Sequence, residues 1–341
     1  MTLSLIKDLE SGGALTRSDA EALMEELLTG RVATPDIVRL LEALNRRAIQ
    51  AQELAGFAQV MRKHATRVFL DGQARPTNMV DTCGTGGDGC KTFNISTTAA
   101  IVVAAAGARV AKHGNRAASS QSGSADVLEA LGVRIDLPFQ RYGHAIREIG
   151  IGFLFAPAAH TATRHATPAR KQIGVRTVFN LLGPLTNPAG AQAQVLGVFS
   201  PDVIDLVSAT LAELGTERAF VVHGAGGLDE ISLAGETIVA EVHDGKVRKF
   251  CVTPEEFGVA PAPLDAVRGG TPAENAELIK RILEGEAGSP RDIVVINAAA
   301  ALVATGISES FRDAADVARS AIDSGKARET LASLIAFTNG A

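Results

Sequence analysis

The stretch Asp81-Thr82-Cys83-Gly84-Thr85-Gly86-Gly87-Asp88-Gly89 constrains the fold of this chain more than any other. It follows a β-prone run at 78–81. It is succeeded by Asn94-Ile95-Ser96-Thr97-Thr98, which opens an apolar helix predicted over 96–106 and closed by Gly107. Glycines gather where backbone must turn sharply or approach something closely. In such a turn, and in the first turn of a helix, unpaired N–H groups form a cradle for an anion. For the glycines alone, an ordinary turn before an ordinary helix start is an equal account. The loop is not a Walker loop, because the G-K-[ST] ending is absent.

Up to about residue 70 the pattern is helical only. Ser18-Asp19-Ala20-Glu21 reads as a capping box, and Gly30 as the C′ residue of that helix. Thr34-Pro35 reads as an N-cap with Pro at the first helical position, and Ile37, Leu40, Leu41 and Leu44 recur on one face. A third helix is predicted over 48–68, and residues 71–76 form a turn-rich linker and candidate hinge. Short β-prone runs then alternate with helices. Strands are expected at 78–81, 109–111, 152–155, 194–199 and 219–222, with a hairpin of 237–242 and 246–251 joined through Asp244-Gly245. Helices are expected at 124–131, 273–284, 293–304, 308–325 and 327–337, and Ser200-Pro201 caps another that ends at Gly215. The expected class is α/β. A small all-helical N-terminal domain (1–72), completed by a helical segment near 160–185, precedes a large α/β domain (73–341) with a central mixed, mostly parallel sheet.

At 341 residues and 46% hydrophobic composition the chain can bury a large core and is not a disordered protein. Its net charge of −5 gives no broad electrostatic footprint for nucleic acid, and the absence of Trp with a single Tyr argues against stacking platforms for single strands. Three cysteines without a C-x-x-C pattern suggest neither a disulfide framework nor a zinc site and fit a reducing cytoplasm. The N-terminus shows no signal-peptide pattern. The apolar runs 99–108 and 293–304 fall short of the roughly 20 residues a membrane span needs, and Asn297 interrupts the second.

Three further segments carry chemistry. Lys112-His113-Gly114-Asn115-Arg116, followed by Ser119-Ser120-Gln121-Ser122-Gly123-Ser124, also lies between a strand and a helix and offers cations, hydroxyls and amides to a phosphate. Two such loops point to one polyphosphate spanning both. Asp229-Glu230, after a glycine-rich strand end, is the best magnesium candidate, because magnesium takes one or two carboxylates together with phosphate oxygens. The Ser96 hydroxyl is a further candidate ligand. Arg170, in the segment leading to Arg176–Pro188, could clamp a carboxylate or be a plain surface charge. His160 and His165 are spaced wrongly for a metal on one helix face.

In this order the segments resemble the anthranilate phosphoribosyltransferase family, related to pyrimidine nucleoside phosphorylases. The resemblance spans nearly the whole chain. It implies transfer of the phosphoribosyl group of phosphoribosyl pyrophosphate (PRPP) to the amine of anthranilate, in tryptophan biosynthesis, by a magnesium-dependent cytoplasmic homodimer joined through its helical domain. It implies PRPP contacts at Gly84, Gly87, Asp88, Thr92, Asn94, Ile95, Ser96, Thr97, Lys112, His113, Gly114, Asn115, Arg116, Ala117, Ala118, Ser119, Ser120 and Ser124. Magnesium would be held by Ser96, Asp229 and Glu230. Anthranilate would meet Gly84, Asn115 and Arg170 in a tunnel near His113, Pro157, His160 and Thr163. No acid or base is implied, and His113 is the one candidate if a proton must be moved. Gln121, Thr161, Thr163 and Ala169 depart from the family pattern, and Thr163 implies a roomier or wetter acceptor tunnel. Two alternatives remain: a pyrimidine nucleoside phosphorylase, which would not need magnesium, and a diverged nucleic-acid-binding member, which would need a basic surface.

Overall fold

A computed structural model of the chain describes residues 2–70, 72–117 and 121–340. Four helices come first: α1 (Thr2–Glu10), α2 (Arg17–Leu28), α3 (Thr34–Asn45) and α4 (Ala51–His64). The cap of α2 lies upstream of the expected Ser18. Thr16 Oγ1 accepts the N–H of Asp19 at 3.1 Å, and Asp19 accepts the N–H of Thr16 at 3.3 Å. The box pattern occurs twice in overlapping register, and the upstream copy is the one used; Leu23, Met24, Leu27 and Leu28 of this helix are buried. For α3 the cap is Ala33, whose carbonyl takes the N–H groups of Asp36 and Ile37 at 2.9 and 3.1 Å. Pro35 therefore sits in the first turn, where a backbone N–H would have no partner within the helix, and its missing donor costs nothing. The buried carboxylate of Glu53 in α4 accepts the N–H of Leu15 at 2.7 Å and of Gln50 at 2.8 Å and pairs with Arg47. It ties the start of α4 to the segment before α2.

A seven-stranded sheet follows: β1 (Met79–Gly84), β2 (Arg109–Gly114), β3 (Ile151–Phe155), β4 (Ala193–Gly197), β5 (Arg218–Gly224), β6 (Thr237–His243) and β7 (Lys246–Val252), in the order β3-β2-β1-β4-β5-β6-β7. The first five are parallel, and β6 and β7 are antiparallel, as expected of a mixed sheet. The β6–β7 turn places Asp244 at φ 50° and Gly245 at φ 72°, the positive values a two-residue hairpin demands. The chain leaves β1 toward β2 on one side and returns to β4 on the other. That reversal is the topological switch point, where open α/β sheets bind ligands at their C-terminal ends.

Alternation along the strands gives the sheet two buried faces. Val195, Phe220, Val222 and Val239 face a core roofed by α5 (Ile95–Ala105), α6 (Ser124–Ala130) and the helix Ser289–Ala304. Leu196, Val221, Ala240 and Val242 face a second core that includes Leu23, Leu27, Leu41 and Phe57 of the N-terminal helices. The helices expected near 160–185 are Thr161–His165, Thr167–Ile173 and Phe179–Leu182, packed on α2, α3 and α4 respectively. Among the described residues no helix is long and apolar enough to cross a membrane.

Candidate active site

Four parallel strands, β1, β2, β4 and β5, end on glycine at the same edge of the sheet. Gly84 and Gly197 are register partners on adjacent strands. A Cβ on Gly84 would lie 2.5 Å from Asp229 Oδ2, and one on Gly197 only 1.5 Å from the Asp229 carbonyl oxygen. The acidic segment therefore crosses directly over the ends of β1 and β4, and bare backbone makes room for it. Gly197 was not among the sequence candidates. The sequence placed it inside a strand expected over 194–199, and only the observed end of β4 at Gly197 and the register of β1 on β4 show what it does.

The glycine loop after β1 is bound to that segment. Gly86 N–H donates to Asp229 Oδ2 at 2.9 Å, and Asp229 N–H donates to Asp88 Oδ2 at 3.4 Å. Gly86 and Gly87 have φ of 67° and 76°, which side-chain-bearing residues rarely adopt. Residues 84–89 do spell G-x-G-x-x-G, but the last glycine does not lead straight into a helix as a dinucleotide loop does. Thr92 first pairs with Arg268, and α5 begins only at Ile95. At the start of α5, Ser96 N–H donates to Glu230 Oε1 at 2.8 Å. Asn94 is engaged rather than free. Its Nδ2 donates to the Ser122 carbonyl, and its Oδ1 accepts from Ser122 Oγ and Asn275 Nδ2, all at 3.0 Å. It stitches the first loop to the second. Thr97 is buried one turn into the helix.

The second loop is anchored at both ends by Asp126 of α6, which accepts the N–H groups of Ala117 and Gly123 at 2.9 Å each. Asn115 N–H donates to Ser124 Oγ, which donates back to the Asn115 carbonyl, both at 3.1 Å. Gly114 leaves space for that hydroxyl. Ala118, Ser119 and Ser120 lie outside the described residues. Two cations expected to face phosphate have protein partners instead. Lys112 is buried and donates to the Thr82 carbonyl. Arg116 reaches Asp126 at 2.9 Å and also Glu129. Beneath both loops Asp81 is fully buried; it accepts His113 N–H at 3.0 Å and Asn187 Nδ2 at 2.8 Å. Burial pushes its carboxyl up, and the charge of Lys112 opposes that shift. Asn187 also donates to the Ala111 carbonyl at 2.8 Å and so braces β1 against β2, a role that nothing in its local sequence signals.

Asp229 and Glu230 are both raised above their ordinary values, first by burial and then by neighbouring carboxylates: Asp88 for Asp229, and Asp229 for Glu230. The two carboxylates, with Ser96 lining the same small cavity, offer hard oxygen donors of the kind that suit magnesium. Among the described residues no three His, Cys, Asp or Glu side chains converge on one point. A cation here would need further oxygens, as from a bound phosphate.

On the other side, a cavity of about 330 Å³ is lined by Thr167, Arg170, Lys171, Gly174, Val175, Arg176 and Asn180. The Arg170 guanidinium lies 5.2 Å from the Phe179 ring centre. Arg176, which opens the segment Arg176–Pro188 but was given no role from sequence, stacks 4.0 Å over the Phe199 ring and donates to the Gly87 carbonyl, while Asn45 of α3 donates to the Arg176 carbonyl at 2.9 Å. His113 and His160 are buried edge to face, ring centres 5.2 Å apart. Burial is the main reason their pKa values fall, to about 3 and about 4, so both rings are neutral near pH 7. His113 Nε2 has no partner among the described residues. His160 Nε2 meets Thr186 Oγ1 at 3.3 Å. The Thr163 hydroxyl donates to the His160 carbonyl at 2.7 Å, so it is occupied locally, and Pro157 is exposed on a short helix (Ala156–Ala159) after β3.

The helical bundle domain of the glycosyl transferase family matches residues 3–65, and the a/b domain of that family matches residues 76–328. An anthranilate phosphoribosyltransferase of Pelotomaculum thermopropionicum is 50% identical over 338 residues, 99% of this chain and 97% of that one. The crystal structure of the Thermus thermophilus enzyme of that name superposes with a TM-score of 0.92 at 47% identity, covering 98% of this chain and 99% of that one. The Saccharomyces cerevisiae enzyme in complex with PRPP and Mg gives 0.89 at 27% identity, covering 100% and 98%. With both domains matched and near-complete overlap with these relatives, the chain belongs to the glycosyl transferase family, among its anthranilate phosphoribosyltransferases.

Proposed function

We propose that the chain transfers the phosphoribosyl group of PRPP to the amine of anthranilate, giving N-(5-phosphoribosyl)anthranilate and pyrophosphate, as a step of tryptophan biosynthesis. The observation that carries this reading is the meeting of two anchored, glycine-bearing loops and the Asp229-Glu230 pair at one end of the parallel strands. Bond breaking at C1′ moves negative charge onto the departing pyrophosphate. Backbone N–H groups of the loop at 87–89 and of Thr97 in the first turn of α5 would stabilise that charge with little reorganisation, while those of Gly86 and Ser96 are spent on the acidic pair. Ser96, Asp229 and Glu230 are the residues that would hold magnesium, which supplies charge neutralisation to the leaving group. Arg170 would orient the acceptor carboxylate, with Gly84, Asn115 and the His113–His160 wall shaping the tunnel. The aniline nitrogen is already a neutral nucleophile, so the rate comes mainly from holding it in line with C1′. The low pKa of His113 fits a wall residue and not a proton carrier.

The deciding assay follows the loss of anthranilate fluorescence on mixing with PRPP and MgCl₂; with no Trp and one Tyr the protein adds little background. A decay that needs both PRPP and magnesium is the expected result. Phosphate-dependent nucleoside cleavage without magnesium would favour the phosphorylase instead. We further infer a cytoplasmic homodimer joined through the helical domain. Light scattering should then give twice the 35.3 kDa chain mass, and a monomer at micromolar concentration would exclude it.

A further inference from the structure

Asn297 is the single polar residue in the buried run 293–304 of the helix Ser289–Ala304. A buried amide is retained in such surroundings only where its bonds are made. Here all of them serve one neighbour and the helix itself. Asn297 Oδ1 accepts the N–H of Ile231, while Nδ2 donates to the carbonyls of Ile231 and Ile293, each at 2.9 Å. The side chain thus pairs with both backbone groups of Ile231, as one strand residue pairs with another. Ile231 directly follows Asp229 and Glu230, whose carboxylate ends are held by Gly86 N–H and Ser96 N–H. Asn297 also lines a cavity of about 10 Å³ with Thr82, Ser96, Asp229 and Glu230, room for about one water.

We propose that Asn297 is a positioning residue for the divalent-cation site, holding the backbone of Ile231 so that the carboxylates of Asp229 and Glu230 keep the spacing an octahedral magnesium ion requires. This rests on the reading of those two residues as magnesium ligands. Magnesium tolerates little distortion of its donor set, and loss of an outer partner commonly weakens metal binding ten- to a hundredfold.

The test compares wild type, Asn297→Asp, Asn297→Ser and Thr338→Val by calorimetric titration of PRPP across a magnesium series, with thermal unfolding measured alongside. Asn297→Asp keeps the acceptor for Ile231 N–H and removes the donor. Asn297→Ser removes the reach to Ile231 without adding bulk or charge. Thr338 is equally buried and also bonds backbone, to Leu334 O and from Arg134 N, remote from the carboxylates in sequence and contacts, so Thr338→Val reports structural loss alone. Both Asn297 variants should need roughly tenfold more magnesium for half-maximal PRPP affinity. Their anthranilate KM should stay within about twofold, and Thr338→Val should match wild type in magnesium dependence. Wild-type magnesium dependence in either folded Asn297 variant overturns the inference. So do purely additive effects when Asn297→Asp is combined with Glu230→Gln. PRPP binding that ignores magnesium in the wild type would instead overturn the reading of Asp229 and Glu230, and the inference with it.

Discussion

Arg170 lies half-buried over Phe179, on the wall of the cavity it shares with Thr167 and Asn180. A guanidinium held this way is oriented before any acceptor arrives. Arg170→Ala should therefore raise the anthranilate KM by at least about tenfold, the lower range for a charge-assisted bond, and move the PRPP KM far less. Steady-state kinetics with each substrate varied in turn would show it, and equal changes in both would contradict an acceptor-specific role. His113 and His160 contribute one part of the pH dependence of the fold, and the raised carboxyls of Asp81, Asp229 and Glu230 contribute the opposite part. Unfolded, each histidine binds a proton as pH falls below about 6.5; folded, they resist until about pH 3 and about pH 4. At these two rings the unfolded state thus holds more protons through that window, and their contribution to stability falls as the pH is lowered. Per buried histidine the loss is about 1.4 kcal/mol for each pH unit. His160→Asn should flatten the decline between pH 6.5 and 4.5 in urea titrations, and an unchanged slope would show that its ring is not buried neutral.

At the scale of elements, the functional edge is a property of strand ends. Gly84 and Gly197 lie side by side because β1 and β4 pair in register, and the acidic segment rests on both. In Gly197→Ala the new methyl group would overlap the Asp229 carbonyl, so the segment must shift by more than an ångström. Misplacement of that size commonly lowers turnover about a hundredfold. Circular dichroism unchanged from wild type, with that loss of activity, is the expected result; full activity would mean the segment is freer than the structure indicates. Elements themselves were largely legible. The apolar run that became α5 and the Asp244-Gly245 turn needed only period and turn chemistry. The α2 cap was misplaced because Thr16–Asp19 and Ser18–Glu21 are both plausible boxes, and the helix starts at the upstream one.

For the whole molecule, the N-terminal helices do not form a free-standing bundle. Leu23, Leu41 and Phe57 share one core with Leu196, Val221 and Ala240 of the sheet. Two regions that bury each other's apolar surface unfold together. Calorimetry should therefore give one transition, with the van't Hoff and calorimetric enthalpies equal for the unit that unfolds; two resolved transitions would mean that the shared core contributes little. The same continuity lets α3, through Asn45, touch the segment of Arg176 that reaches the glycine loop.

The sequence by itself determined the class of fold, the two loops that lie between a strand and a helix, and the acidic pair, because periodicity, glycine clustering and adjacent carboxylates are local properties that survive in one dimension. Tertiary structure alone decided which charges have partners and which polar groups brace the site. Lys112 and Arg116 read as free cations yet have Thr82, Asp126 and Glu129 as partners. Gly197 and Asn187 carried no local signal, and Asn297 showed only as a polar break in an apolar run, because their roles exist only where distant backbone comes within about 3 Å of them. Contact at that range follows from the register of β1 on β4 and the seating of a helix on the sheet, which chain order does not spell out.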